Sequence, residues 1–147
     1  RPKLNLPPEV AGKRKYPFQF VKEITVSANS EGSIEFQVPG NYDYLITSLK
    51  YRSKVNSVNV IPYFDILIEK DNEPLASDFQ ANENFNGMMI ETSTAPDTRY
   101  ETGDGDWYRF PIPQMVDRKS TIRVRLRDRS GQSNTIQIAL DGIRVFG

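Results

Sequence analysis

The chain contains neither cysteine nor histidine. Without thiols, disulfides and thiolate chemistry cannot operate. Without imidazole, Ser-His-Asp and Cys-His catalysis, the common zinc sites and a histidine pH switch are excluded. Catalysis would fall to carboxylates, lysine or tyrosine, so the expectation is a protein that is not an enzyme and needs no cofactor. No apolar run approaches the roughly 18 residues of a membrane-spanning helix. No convincing amphipathic helix is present either, because Pro, Gly or β-branched residues break every candidate window. Nothing at the N-terminus resembles a secretion signal, and a start at Arg1 rather than Met leaves room for residues upstream. Neither charge sign is in excess. The 19 Lys and Arg balance 19 Asp and Glu, which argues against a general nucleic-acid or membrane-surface binder.

What is present is a β pattern. With 147 residues, the chain is read as one domain able to bury roughly two thirds of its unfolded surface. Towards the C-terminus, Ile122, Val124 and Leu126 alternate with Arg123, Arg125 and Arg127. After a loop over 129–134, alternation resumes with Ile136, Ile138 and Leu140. Period-two alternation marks half-buried strands, and the Gly-containing loop between them predicts an antiparallel hairpin. Asp141-Gly142 reads as a turn or bulge, after which Ile143, Val145 and Phe146 continue a strand expected to be central in its sheet.

Earlier in the chain, a first strand is expected over Phe18 to Ser27 with an irregularity near Val21 to Glu23. A second carries Ile34, Phe36 and Val38. A third, around Tyr42 to Leu49, is expected to be buried on both sides. A fourth runs from Val58 to Glu69, with Pro62 marking a bulge or edge. Residues 70–106 read as a long acidic loop region with at most two short strands. Trp107 to Ile112 forms a short aromatic strand. About eight strands with one long insertion predict an antiparallel β-sandwich of jelly-roll type over 18–147, with an immunoglobulin-like sandwich as the alternative. Residues 1–17 read as an extended, proline-rich basic arm. In it, Leu4, Leu6 and Val10 are candidate anchors on a neighbouring subunit, beside the basic Lys13, Arg14 and Lys15.

Several groups could carry chemistry. Asp104-Gly105-Asp106 could offer two oxygens to calcium but lacks the remainder of a calcium loop, and it reads as a solvated turn. Among 19 acids some carboxylate pair is always available, so that signal decides nothing. Trp107 and Tyr108 beside acidic loops could stack on a sugar, or they could be core aromatics. The stripe Arg123, Arg125, Arg127, spaced about 6.6 Å along one strand face, could meet an acidic partner surface, stand as a solvated face or grip phosphates. The partner surface is the preferred reading, because the basic stripe and arm complement the acidic middle region.

The basic arm (Arg1 to Pro17), the short strands, the long Asn-rich loop and the closing segment IALDGIRVF together resemble structural proteins of tailed-phage virions, the jelly-roll cement or decoration proteins. The resemblance is architectural, spans the whole chain and transfers no individual residue. It implies a virion location, self-association as a homotrimer, contact with a major capsid or other virion protein, and no membrane. A carbohydrate-binding sandwich module and a tail-associated or minor virion protein are the alternatives.

Overall fold

This computed structural model describes residues 11–57, 60–82, 89–92, 99–102 and 108–147; residues 89–92, 99–102, 108, 109 and 111 are described by their backbone alone. The strands are β1 (Arg14–Val26), β2 (Glu31–Gln37), β3 (Asp43–Val55), β4 (Phe64–Lys70), β5 (Glu73–Pro74) and β6 (Gln80–Ala81). They continue with β7 (Met89–Thr92), β8 (Arg99–Thr102), β9 (Tyr108–Val116), β10 (Thr121–Asp128) and β11 (Asn134–Phe146).

All pairings are antiparallel and form two sheets. The first runs β1-β11-β3, with β8 and β9 both pairing to the far side of β3 and β7 beyond β8. The second runs β2-β10-β4, with β5 and β6 on the far side of β4. The chain changes sheet at each step from β1 to β4 and again from β9 to β11. Four strands, β1-β11-β3-β9, thereby stack on β2-β10-β4-β5, which is the double Greek key of a jelly roll. The all-β jelly-roll expectation holds.

Several local expectations do not. β10 and β11 are no hairpin: β10 pairs with β2 and β4, whereas β11 pairs with β1 and β3. The loop between them carries the chain from one sheet to the other. Their alternation is nevertheless used as read, since Ile122, Val124, Leu126, Ile136, Ile138 and Leu140 are all fully buried in one core. Alternation fixes which face of a strand is apolar. It does not fix whether two such strands lie side by side or face to face.

The first strand begins at Arg14, so Arg14 to Pro17 belong to the sheet rather than to a free arm. Pro17 is tolerated because β1 is an edge strand, where one row of N–H groups has no ladder partner to lose. The irregularity expected near Val21 is absent, and the register to β11 runs unbroken from Arg14 to Val26. Lys22 falls in the core-facing phase of β1 but stays exposed, and its Nζ donates to the Glu35 carbonyl on β2 at 2.9 Å. An ammonium there also protects the edge of β2 from mispairing. The fourth strand starts at Phe64, with Pro62 before it, its carbonyl accepting from Ser53 Oγ at 3.0 Å. The acidic region holds four short strands, β5 to β8, rather than two. The third strand is buried on both faces from Tyr44 to Leu49, as read.

Gly142 accommodates a bulge of β3, in which Thr47 is the extra residue between Ile46 and Ser48. The β3–β11 register shifts between Asp141 and Gly142. There a Cβ would run into the Leu45 carbonyl oxygen and stand 2.7 Å from Tyr44 Cζ. The space is taken by the buried Tyr44 ring, whose hydroxyl lies 2.7 Å from the Phe18 carbonyl and 2.9 Å from that of Leu140. A bulge needs this close approach, and only glycine permits it. Gly142→Ala is therefore expected to lower stability at the upper end of about 1–3 kcal/mol, read as a lower denaturant midpoint at unchanged slope. Val21→Ala, on the exposed edge, should change it by less than about 0.5 kcal/mol.

Candidate functional site

The outward face of the second sheet carries the arginine stripe. β10 lies in the middle of that sheet, and its alternation sends Arg123, Arg125 and Arg127 away from the core. Register places Arg123 opposite Glu35 on β2 and Glu69 on β4, and Arg127 opposite Glu31 and Asp65. The guanidinium of Arg123 meets Glu35 at 3.1 Å and Glu69 at 3.6 Å. Arg125 reaches diagonally to Glu31 with two bonds of 3.1 Å and approaches Glu69 at 3.6 Å. Arg127 donates twice to Asp65 Oδ2, and Arg129 takes Oδ1 of the same carboxylate at 2.6 Å. The Phe79 ring lies under both Arg125 and Arg127, with guanidinium-to-centroid distances of 5.0 and 4.3 Å.

Four arginines thus interleave with four carboxylates: Arg123, Arg125, Arg127 and Arg129 with Glu31, Glu35, Asp65 and Glu69. The stripe that reads as a basic pole in sequence is a neutral cross-strand ladder in the fold. An incoming acidic group would compete with carboxylates already in place. Glu35 is exposed, whereas Asp65 and Glu69 are nearly covered, so the ladder is held most firmly on its β4 side.

A second polar centre sits at the β10–β11 corner. The Asp128 carboxylate accepts from the backbone N–H groups of Asn29, Ser130 and Gly131 at 2.9 to 3.0 Å. It also accepts from Ser130 Oγ and Asn134 Nδ2. Burial pushes its pKa up, but the hydrogen bonds from Ser130, Asn29 and Asn134 outweigh burial and hold it below the usual carboxylate range. At the other end of the sandwich, Asp43 accepts from the N–H of Arg118 at 2.8 Å and from its Nε at 3.1 Å, which likewise lowers its pKa. Both are structural clamps, closed by their own chain.

Small polar hollows lie among the described residues. One, about 100 Å³, is lined by Glu23, Arg52, Lys54, Thr135 and Gln137; another, about 130 Å³, by Glu35, Asp71, Asn72, Thr121 and Arg123. Each is well below the roughly 300 Å³ of the smallest typical small-molecule site. No group of three or more acidic side chains stands together as a metal site among the described residues.

Of the arm residues, Lys13 lies in an exposed turn, with its carbonyl accepting from Lys15 Nζ at 3.0 Å. Arg14 stacks its guanidinium over Phe146 at 5.6 Å. Leu4, Leu6, Val10, Trp107 and the Asp104–Asp106 loop lie outside the described residues. The backbone of Tyr108 pairs with Leu49 in β9. The ladder carboxylates escaped attention in the sequence, although a signal was there: Glu31 and Glu35, like Asp65 and Glu69, are four apart and so share one strand face.

Asp65→Asn is expected to cost about 1–2 kcal/mol in chemical denaturation, whereas Glu35→Gln on the exposed side should cost under about 0.5 kcal/mol. Asp43 and Asp128 have depressed pKa values in the fold, so their stabilisation is present above the unfolded value of about 4 and is lost as pH falls through the folded one. Thermal melts should show the midpoint dropping below about pH 4, with a shallower fall in Asp128→Asn.

No protein-family model matches the chain, and no curated protein matches it. Among solved structures it is similar to the Yersinia pseudotuberculosis-derived mitogen, with 9% identity, TM-score 0.34, and coverage of 85% of this chain and 86% of that one. It is also similar to the family 3a carbohydrate-binding module of the cipA scaffolding of Clostridium thermocellum, with 10% identity, TM-score 0.36, and coverage of 80% and 79%. The nora virus structure covers 100% of this chain, which spans 66% of that one, at 15% identity and TM-score 0.37. Likenesses this distant carry no argument, and the jelly-roll assignment rests on the strand order itself.

Proposed function

We propose that this chain is a non-enzymatic structural protein of a virion, of the capsid cement or decoration kind. It works by self-association, as a homotrimer, and by contact with a major capsid protein. The observation that carries this reading is the strand order β1-β11-β3-β9 over β2-β10-β4-β5. Viral capsid and lectin domains are among the double-sheet jelly rolls, and this analogy of fold supports an assembly or sugar-binding role.

The ladder favours assembly. Its charges are neutralised within the chain, so the sheet can be laid against another protein without burying an unpaired ion. Exposed rims of such pairs set register rather than affinity, which then comes from apolar contact between copies.

Light scattering on the full chain tests this reading. A trimer or larger species at micromolar concentration is the expected result. A monomer at every concentration, with Trp107 fluorescence freely quenched by acrylamide and the protein retained on immobilised polysaccharide, would overturn it in favour of a carbohydrate-binding module.

A further inference from the structure

The first sheet overhangs the second at its Arg14 end. Phe20 of β1 packs on Phe36, one residue before β2 stops at Gln37, so Tyr16 and Arg14 extend past the end of β2. Their side chains share the core-facing phase of β1 with Phe18 and Phe20, yet Tyr16 is 45% exposed and Arg14 is open to solvent. On β11, Arg144 and Phe146 lie opposite Tyr16 and Arg14 in register and occupy the same face. Tyr16 meets the Phe146 ring in a T-shaped contact at 5.7 Å, and the Tyr42 ring lies 5.4 Å from it.

Two guanidinium groups sit on this aromatic shelf. Arg14 lies over Phe146 at 5.6 Å, and Arg144 lies over Phe18, Tyr42 and Phe146 at 4.9, 5.8 and 5.9 Å. Neither meets a carboxylate among the described residues, whereas Arg118, Arg123, Arg125, Arg127 and Arg129 each do. Asp43, opposite Val145 in register, is one residue out of phase with Arg144 and is held by Arg118. Nε of Arg144 is buried with no hydrogen-bond partner. Its Nη groups have no partner among the described residues either, but they keep access to solvent.

A cation in this state has given up water on one side without gaining a counter-ion. The ring faces compensate only in part. An anion arriving at the Nη edge meets a charge with apolar neighbours, where attraction is stronger than in open water. The rings also hold the guanidinium fork in one orientation, so little side-chain entropy is lost when a planar carboxylate takes both Nη groups. On the β10 ladder an incoming acid would have to displace a carboxylate; here there is none to displace. Two arginines beside one ring are too few for the roughly 6–10 phosphate contacts of a nucleic-acid binder, but they suit two carboxylates. Alternate side chains of an extended chain stand about 6.6 Å apart on one face, a spacing that serves both guanidinium groups around Phe146.

We propose that this shelf is a docking site for an extended acidic segment of a partner protein. One carboxylate is taken end-on by Arg144, and that of the next residue but one by Arg14. Tyr16 and Phe146 line the segment between them, supplying apolar contact while the charges set register. The site deepens the assembly reading by giving it a point of contact, and rests on that reading only in taking the partner to be a protein.

The probe is a synthetic decapeptide of alternating glutamate and threonine, titrated into isotope-enriched full-length protein and followed by NMR. Saturable shifts are expected at the Arg144 and Arg14 Nε–H signals and at the Phe146 ring. The same peptide with glutamine in place of glutamate should produce none. Arg144→Gln should weaken binding about tenfold or more, and Arg14→Gln, an exposed change that leaves the fold intact, should weaken it several-fold. Arginine signals that stay put at millimolar peptide would overturn the proposal, as would shifts confined to Arg123, Arg125 and Arg127. So would a single-stranded oligonucleotide or inorganic phosphate that moves the Arg14 and Arg144 signals at lower concentration than the peptide. A monomer that binds the peptide would sink the assembly reading and keep this site, and a trimer that ignores it would do the reverse.

Discussion

The fold depends on β10 and β11 lying in the middle of different sheets while sharing one apolar layer. Ile122, Val124 and Leu126 come from one sheet and Ile136, Ile138 and Leu140 from the other, and none retains measurable exposure. Burying an aliphatic side chain of this size contributes about 1.5–3 kcal/mol, so this interlock is a substantial source of cohesion between the sheets. Both strands have a partner on each side, which spreads the constraint outward to β1, β2, β3 and β4. The flanking strands then bring Tyr44, Phe36 and Phe64 into the same core.

Crossing between sheets exposes the chain to a cost that a hairpin avoids, because the backbone at the corner leaves both ladders. Asp128 answers it by gathering three backbone N–H groups and two side-chain donors at the turn. Asn134 adds a bond from its Nδ2 to the Tyr63 carbonyl, and Arg129 a backbone bond to the same oxygen. The bulge at Gly142 does a related task at the far end of β11. The extra residue there is Thr47 of β3, which shifts that strand's phase so that Tyr44 and Ile46 before it and Leu49 and Tyr51 after it all face the core, while β11 keeps its alternation through Phe146. Both devices use polar or conformational chemistry to let an apolar strand change direction.

Charge follows the same logic of satisfaction within the chain. The arginines of β10 stand at the centre of a sheet flanked by acidic residues of β2 and β4, and the paired groups cancel. Phe79, arriving from the segment between β5 and β6, adds a ring under two of the guanidinium groups and covers the stems of the ladder. A face built in this way presents shape and weak dipoles rather than a field. That distinguishes it from a surface evolved to attract a polyanion, which keeps its cations unneutralised.

Period-two alternation in the sequence was sufficient to determine the all-β class, the buried faces of β2, β10 and β11, the two-sided burial of β3 and the irregularity at Gly142. Each of these depends on one strand and its immediate neighbours in the chain. The pairing of strands was left to the tertiary structure. Ile122–Leu126 and Ile136–Leu140 satisfy their alternation equally well as a hairpin or as facing layers, and only the competition of all strands for edges chose between them. The same holds for charge: Arg123, Arg125 and Arg127 are consecutive outward residues and legible as a stripe, whereas Glu31, Glu35, Asp65 and Glu69 become their partners only once β2 and β4 are laid on either side. Local sequence fixes which way a side chain points, and contacts between segments distant in the chain decide what it meets.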